Sequence, residues 1–301
     1  MSTSSEPLAV QPVLAGGWQL SPRLRPWLRM LSDPIIAASV VIVVFFAVCA
    51  IFAPLLAPYD PYQTNTNPGA FLKGPSWTHL LGTDVLGRDQ LSRMLYGARV
   101  SLGVGVVATA LGGSVGVLLG LIAGFVRGIV DDVIMRCVEA LLSIPQLVLA
   151  LGLLAALGRS VHTLVIAIGI GGIAFLARLV RSQVLSVREF DYVLAARTIG
   201  AHPMRVLFRH VWPNCTAPVI VSLSLGVGFA VLAESGLSFL GLGVPPPTPS
   251  WGSLLQYAFQ YLYGYAYLSI VPGVAISLLI LSLSLIGDGL RDVLDPSLRG
   301  R

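Results

Sequence analysis

The sequence is poor in charged residues and contains a single lysine, Lys73. Of its 301 residues only 11% are charged, whereas an average soluble domain has about 25%. Hydrophobic residues make up 55% of the chain, and the mean hydropathy is +0.83. A water-soluble fold could not cover this much apolar surface, so lipid must contact part of the chain. The composition therefore predicts an integral membrane protein, and the length of its apolar runs predicts an all-α one.

Residue patterns that would bind a metal or nucleic acid are also lacking. The three cysteines, Cys49, Cys137 and Cys215, lie far apart in or beside apolar runs, and no Cys/His spacing typical of a metal site occurs. We expect them to be small apolar residues, with neither a metal site nor a disulfide. The 19 basic residues give a net charge of +5. Because they are scattered between apolar runs, they argue against a nucleic-acid partner.

The sequence contains no P-loop, the usual nucleotide-binding motif. A P-loop needs Gly-x4-Gly-Lys-Ser/Thr, and Lys73 follows Leu72 instead. We therefore expect the chain to bind no ATP and no other cofactor. HExxH does not occur, and the four histidines, the usual partners of a nucleophile or a metal, are predicted to lie outside the hydrocarbon core. An intramembrane enzyme is accordingly disfavoured.

Six apolar segments are long enough to cross a bilayer, which takes about 20 residues. They are residues 34–57, 100–126, 133–157, 160–178, 215–240 and 266–287. Pro34 is typical of a first helical turn, and Pro145 predicts a kink in the third segment. In the second segment Gly112, Gly116 and Gly120 recur every four residues, which predicts a helix face that packs closely against another helix.

The distribution of basic residues predicts the orientation of the chain. If the N-terminus lies inside, 14 of the 19 basic residues fall in inner segments and 5 in outer ones. This bias predicts that both termini are cytoplasmic. The expected organisation is a cytoplasmic tail 1–33, a first span 34–57, an extracytoplasmic segment 58–99, a helical core 100–290 and a cytoplasmic tail 291–301. Within 58–99, residues 87–96 predict an amphipathic helix lying at the membrane interface before the second span.

The inner segment between the fourth and fifth spans, 188–213, carries the most information about mechanism. Residues 192–200 are helix-prone, and Gly200 can end that helix. Pro203 is predicted to start a second short helix, on which Arg205 and Arg209 align. The first helix would present a small apolar face made of Leu194, Ala195, Ala196 and Ile199. From periodicity alone, this segment either docks on a partner protein or lies against anionic lipid head groups.

The same segment resembles the EAA loop of ABC importer permeases. The matching residues are YVLAARTIG at 192–200 and RHVWPN at 209–214. In that family the loop forms coupling helices that enter a cleft of the ATPase subunit. The resemblance implies an ATPase-coupling role for Leu194, Ala195, Ala196, Gly200, Arg205, Arg209 and Pro213. Leu194 stands where the family usually has an acidic residue.

Two further stretches narrow the resemblance. LGTDVLGRD at 81–89 is similar to a signature region of dipeptide and oligopeptide permeases. GLSFLGLGV at 236–244 is similar to the outer end of the fifth span in the second permease of those systems. The resemblance implies a type I ABC importer permease of MetI-like fold, located as a multi-pass protein in the bacterial inner membrane.

The resemblance also implies partners. These are a second homologous permease forming a heterodimer, two ABC ATPase subunits that use ATP and magnesium, and an extracytoplasmic peptide-binding protein. The expected function is therefore half of a translocation path for short peptides. The lipid membrane is the remaining expected partner, and no nucleic-acid partner is expected.

Ionisable residues within spans are costly in lipid, so each requires an explanation. Glu234, with Ser238 one turn further on, either lines the peptide path or forms a structural pair with an arginine or the partner subunit. Arg136 and Glu139, three residues apart near the inner end of the third span, predict an ion pair.

A proton-driven secondary transporter is the main alternative function. It predicts ionisable residues at mid-membrane and often inverted repeats. Glu234 is the one candidate in the sequence, and the segment 188–213 would then have no evident role. A passive channel is the weaker alternative, since it would not need a coupling loop.

Overall fold

The computed structural model describes residues 30–67 and 69–294. Most of the predicted tails 1–33 and 291–301 therefore lie outside the described residues. Regular structure in the described part is helical, apart from one isolated bridge between Thr83 and Asp89.

Twelve α-helices and one π-helical turn make up the described part of the chain. They are α1 (Pro34–Ile51), α2 (Ala53–Leu56), α3 (Gln90–Val126), α4 (Ile129–Ser143), α5 (Gln146–Leu157), α6 (Val161–Val187), α7 (Asp191–Thr198), α8 (Pro203–Val206), the π-helical turn Leu207–Val211, α9 (Trp212–Phe239), α10 (Trp251–Phe259), α11 (Leu262–Tyr265) and α12 (Tyr267–Leu294).

Five helical segments are long and apolar enough to cross a membrane: α1, α3, α6, the continuous run Pro203–Phe239, and α12. A sixth span results if α4 and α5 are counted together. The all-helical prediction is thus confirmed, with five or six spans. Several helices run past their predicted limits, since α6 extends to Val187 and α12 to Leu294.

The kink predicted at Pro145 is a sharp break, with α4 and α5 meeting at 89°. Ile144 adopts an extended backbone because a residue that precedes proline is disfavoured in the helical region. The two helices contain 15 and 12 residues. Each is shorter than the roughly 20 residues that cross a bilayer. The third predicted span is therefore divided in two.

Helices α3 and α6 form the most extensive helix–helix contact in the described part of the chain. A Cβ added to Gly112 would lie 2.3 Å from the carbonyl oxygen of Gly169. A Cβ on Gly120 would lie 2.5 Å from the carbonyl oxygen of Ala177. Because a real side chain cannot come so close, glycine is required for this approach of the two backbones. The predicted small-residue face is confirmed, and α6 is its partner.

The start of α3 differs from the prediction of a separate interfacial helix over residues 87–96. One helix runs without a break from Gln90 to Val126. At about 1.5 Å per residue it is longer than the hydrocarbon core is thick. Its first turns are covered by segment 58–89, and Arg93 and Met94 are buried. These residues therefore form the first turns of α3 and not a helix of their own, and the chain's own loop encloses Arg93.

Segment 58–89 is organised around the carboxylate of Asp84. This carboxylate accepts a 2.7 Å bond from Arg88 Nε, and Arg93 Nε lies 3.4 Å away. Asp89 caps α3 by accepting a 2.8 Å bond from a first-turn backbone N–H. The stretch 81–89 singled out in the sequence is thus a turn stabilised by its own aspartates.

Helix α10 is fixed on the bundle by Trp251. Its indole N–H donates a 3.1 Å bond to the carbonyl oxygen of Met94 on α3. Its ring packs edge-on against Phe46 of α1, with ring centroids 5.1 Å apart. The opposite side of α1 exposes apolar side chains such as Val41 and Phe45, as expected for a helix in contact with lipid.

Candidate functional site

Helix α7 opens the candidate coupling loop and stops at Gly200, as predicted. Gly200 has a φ of +78°, in the left-handed region that favours glycine. Its N–H donates to the Arg197 carbonyl at 3.0 Å, and the Ala201 N–H donates to the Ala196 carbonyl at 3.1 Å. These two bonds form a Schellman motif, which satisfies carbonyl groups at the helix end. Gly200 therefore sets the direction in which the chain leaves α7.

One side of α7 packs into the chain's own core. Val193 and Ala196 are buried in a cluster with Val206, Val211 and Cys215. Ala196 was predicted to belong to the face that meets the ATPase. It lies instead in the buried cluster that includes residues of the π-helical turn and of α9. The physical reason is that a helix of eight residues needs a buried stripe to stay attached to the bundle.

The other side of α7 is open. Ala195 is exposed, Leu194 is 43% exposed and Ile199 is 85% exposed. Gly200 is exposed as well. Three of the predicted coupling residues, Leu194, Ala195 and Gly200, therefore share an accessible apolar surface, which we call the α7 face together with Ile199.

The predicted second short helix is not a separate element. The helix that begins at Pro203 continues through the π-helical turn Leu207–Val211 into α9. Arg205 and Arg209 are exposed, and neither forms an ion pair with any residue that the structure describes. Pro213 lies in the first turn of α9, where proline is well tolerated.

Arg188, just after α6, connects the loop to the end of α3. Its Nη1 donates a 3.1 Å bond to the carbonyl oxygen of Gly124 in the last turn of α3, where a cation is favoured. Arg127 and Glu189 pair nearby at 3.3 Å. Burial, followed by the positive charges of Arg127 and Arg197, lowers the pKa of Arg188. The entry to the loop is thus held by a partly buried cation.

Asp131 and Arg181 connect α4 to α6. Arg181 Nη2 donates a 2.7 Å bond to Asp131 Oδ2, and Nε donates to the other carboxylate oxygen. This two-pronged geometry is the strong form of an arginine–carboxylate pair. The pair predicted between Arg136 and Glu139 is not formed: both side chains are exposed, and they are not within ion-pair distance of each other.

A cavity of about 460 Å³, the central cavity, lies beside the break between α4 and α5. It is bounded by α3, α4, α5, α6 and α9, and its wall is mainly apolar. Thr109, Gln146 and Ser222 contribute the polar side chains. The Thr109 hydroxyl is buried and has no hydrogen-bond partner among the described residues. A large concave apolar surface with a few polar groups is typical of a ligand path.

Glu234 does not line this cavity. Its side chain is fully buried, and it accepts bonds of 2.8 Å from Ser101 and 2.7 Å from Ser238, with Ser235 at 3.4 Å. The partners of Glu234 in the described part of the chain are thus serine hydroxyls, where the sequence suggested an arginine. In this conformation Glu234 is enclosed in the protein and pairs with no arginine that the structure describes.

Ser238 is also buried, but it borders a second cavity at the end of the bundle where α3 begins and α9 ends. The hydroxyl of Ser238 is committed to Glu234. Of the two predicted path residues, Ser238 therefore lies at a cavity wall and Glu234 behind it.

Sequence reasoning missed the residues that join distant helices. Ser101 and Trp251 are the main examples: the Trp251 backbone N–H donates a 3.1 Å bond to Ser101 Oγ, across 150 residues of sequence. Asp131 and Arg181 were missed as well. The only signal in the sequence for Asp131 and Arg181 is that each is a charged residue beside apolar stretches, and a buried charge needs a partner.

A bundle of apolar helices around a mainly apolar cavity, in a chain with no P-loop, fits a membrane permease subunit. Residues 116–300 match the family described as "Binding-protein-dependent transport system inner membrane component". Residues 21–75 match the "N-terminal TM domain of oligopeptide transport permease C". The chain belongs to the binding-protein-dependent inner membrane component family. It is a permease subunit of an ABC transporter and a multi-pass inner-membrane protein, not an enzyme.

Curated relatives resemble the chain over most of its length. The dipeptide transport system permease protein DppC of Alkalihalophilus pseudofirmus is 39% identical over 280 residues, covering 93% of this chain and 91% of the relative. The di/tripeptide transport system permease protein DppC of Pseudomonas aeruginosa is 42% identical over 255 residues, covering 83% and 84%. The glutathione transport system permease protein GsiD of Pectobacterium atrosepticum is 37% identical over 292 residues, covering 97% of each.

A solved structure shares the fold. In the inward-facing methionine ABC transporter MetNI, one chain superimposes with a TM-score of 0.55 at 18% sequence identity. The match covers 67% of this chain and 96% of that one. The predicted MetI-like fold is thereby confirmed.

Proposed function

We propose that this chain forms half of the translocation path of an importer for short peptides, and that loop 188–213 docks on an ATPase subunit. Peptide substrates are proposed because the relatives just described are named for dipeptide, di/tripeptide and glutathione transport. All three names denote short peptides, so the chemical class is the same even though the cargo differs.

The observation that carries the proposal is the exposed α7 face. Leu194, Ala195 and Ile199 form an exposed apolar surface at the end of the bundle where α6 ends. An exposed apolar surface on a helix buried along its other side is typical of a protein interface. Exposed Arg205 and Arg209 lie close in sequence and supply charges that can pair with carboxylates of the partner.

The need for a partner follows from the chemistry that this chain lacks. Uptake against a gradient requires an energy source, and the sequence contains no P-loop. ATP and magnesium would therefore be used by separate ATPase subunits, and this chain would hold no cofactor. Force would reach the spans through α7, which packs on the start of α9, and through Arg188, which holds the end of α3.

The central cavity supports the assignment of half a path. Its wall is formed by the middle of α3, α6 and α9 and by the break at Pro145. A second homologous permease facing this surface would complete the path, and an extracytoplasmic binding protein would deliver the peptide. The excess of basic residues in the segments predicted to be internal favours cytoplasmic termini and a cytoplasmic α7 face.

The proton-driven alternative is less well supported. Such a mechanism needs an ionisable group that alternates between accessible states. Glu234 is enclosed and hydrogen-bonded to serines from α3 and α9. Glu234 is not among the residues that line the central cavity.

Reconstituted vesicles separate the two functions. The chain is assembled with its partner permease, ATPase subunits and binding protein, and uptake of a radiolabelled dipeptide is followed. We expect uptake to require ATP and to continue when the proton gradient is collapsed. Uptake that stops with the gradient while ATP remains, or that proceeds without ATPase subunits, would contradict the proposal.

A further inference from the structure

The second cavity, with a volume of about 300 Å³, is lined by three arginines: Arg88, Arg93 and Arg159. It lies where α3 begins and where α5 and α9 end, and we call it the arginine cavity. No aspartate or glutamate contributes to its wall in the part of the chain that the structure describes. A site of this size accommodates one or two amino-acid residues rather than a whole protein segment.

The two deeper arginines share one carboxylate. Arg88 donates from Nε to Asp84 at 2.7 Å, and Arg93 Nε lies 3.4 Å from the same carboxylate oxygen. Arg93 is 1% exposed, and its Nε has no hydrogen-bond acceptor among residues 30–67 and 69–294. Its Nη1 donates to the Pro61 carbonyl at 3.1 Å. Two buried cations facing one anion leave positive charge that a ligand anion can balance.

The third arginine stands at the rim. Arg159 is exposed, and its Nη1 donates a 2.7 Å bond to the carbonyl oxygen of Gly241. That bond holds the side chain across the gap between the end of α5 and the end of α9. Because a guanidinium has five N–H donors, this single bond leaves most of them available. Gln256, Tyr257 and Gln260 add neutral polar groups to the opposite wall.

The arginine cavity and the central cavity are separated by one apolar cluster. Ala230 of this cluster lines the central cavity and Val244 lines the arginine cavity. Leu154 and Leu237 are buried members of the same cluster. A solute that passed from one cavity to the other would have to part these side chains. The arginine cavity is thus placed at the mouth of the path, in front of a closed apolar constriction.

We propose that the arginine cavity binds the C-terminal carboxylate of the peptide before the peptide enters the path. This inference deepens the proposed function and rests on it. Arginine binds a carboxylate through paired N–H bonds, which are strong when partly shielded from water. An acidic side chain of a docked binding protein could meet Arg159 at the rim. A free carboxylate on a small peptide is favoured because it can also reach the buried Arg93.

The test compares a dipeptide that has a free carboxylate with its C-terminal amide. Both are supplied to the complete reconstituted transporter at concentrations that saturate the binding protein, so differences arise after delivery. Arg159→Gln is the informative variant, because Arg159 is exposed and its loss should not prevent folding. Arg159→Lys keeps the charge. Arg99→Gln is the matched control, because Arg99 is an exposed arginine of α3 outside the cavity wall.

We expect Arg159→Gln to lower kcat/KM about tenfold when the concentration of the dipeptide-loaded binding protein is varied, the effect of losing one charge-assisted pair. Uptake of the amide should change less than about twofold, and Arg159→Lys should recover part of the loss. An equal loss for both peptides would assign Arg159 to binding-protein docking or to structure and overturn the inference. No loss for either would overturn it as well. If wild-type transporter accumulates neither peptide, the proposed function itself fails.

Discussion

The hydroxyl of Ser101 donates a 2.8 Å hydrogen bond to the carboxylate of Glu234, although 133 residues separate them in the sequence. The same Ser101 oxygen accepts a bond from the backbone N–H of Trp251. One serine therefore joins α3, α9 and the start of α10. Because Glu234 is fully buried and also accepts from Ser238, its role in this conformation is to hold these elements together.

Glu234→Ala should destabilise the transporter by about 3 kcal/mol, because it leaves buried serine hydroxyls without their acceptor. Glu234→Gln should cost less, since its amide oxygen can still accept. The melting temperature of the purified complex measures both effects, with exposed Glu139→Gln as the control. KM for the peptide should stay the same in Glu234→Gln. A raised KM at an unchanged melting temperature would instead indicate that Glu234 contacts the substrate.

Gly112→Ala should impair the packing of α3 on α6. The new methyl group would lie 2.3 Å from the Gly169 carbonyl oxygen, so the helices must move apart. We expect a loss of about 2–3 kcal/mol in stability, measured as a lower melting temperature and a lower yield of assembled transporter. Gly103→Ala on the same helix is the control, since an added Cβ there meets no atom within 4 Å. Equal tolerance of both changes would mean that the close approach of α3 and α6 does not matter.

Ala195 and Ala196 should respond differently to enlargement, although they are adjacent. Ala196→Leu overfills the buried cluster behind α7 and should lower stability by about 2 kcal/mol. Ala195→Leu adds bulk to the exposed α7 face, so stability should be kept while less peptide is imported per ATP hydrolysed. Thermal unfolding and paired uptake and ATPase assays distinguish the two. Loss of stability in Ala195→Leu would show that the assignment of the two faces is incorrect.

Gly200→Val should uncouple ATP hydrolysis from uptake while the chain still inserts. A β-branched residue is strained at a φ of +78°, so α7 would lose its Schellman turn and the α7 face would shift. The expected result is at least about a tenfold fall in uptake, a change worth roughly 1.4 kcal/mol of coupling, with continued ATP hydrolysis. Gly158→Val tests whether strain alone is responsible, because Gly158 also has a positive φ but lies at the other end of the bundle. Normal coupling in Gly200→Val would contradict a role for this turn.

The sequence predicts features of this fold that depend on local chemistry. Gly200 ends α7 because only glycine adopts its φ easily, and Pro145 interrupts a helix because of its ring and missing N–H. The glycine face of α3 follows from the period of the α-helix. Each of these depends on residues close together in the chain, so a single sequence is enough to find them.

Features that depend on tertiary contacts could not be predicted. Arg93 has the same local pattern whether it lies among head groups or under segment 58–89, so its burial could not be predicted. Ala196 was assigned to the outward face because small residues fit a docking surface and a tight core equally well. Ser101 of α3 meets Glu234 of α9 across 133 residues of sequence, and periodicity carries no information about such contacts between helices.

Cross-linking from the α7 face tests the central claim most directly. A photoreactive amino acid placed at Ala195 in the active, assembled transporter should form a covalent bond to an ATPase subunit. The same residue placed at exposed Lys73, at the other end of the bundle, should not. A product between position 195 and the extracytoplasmic binding protein, or none with the ATPase while uptake proceeds normally, would contradict the account.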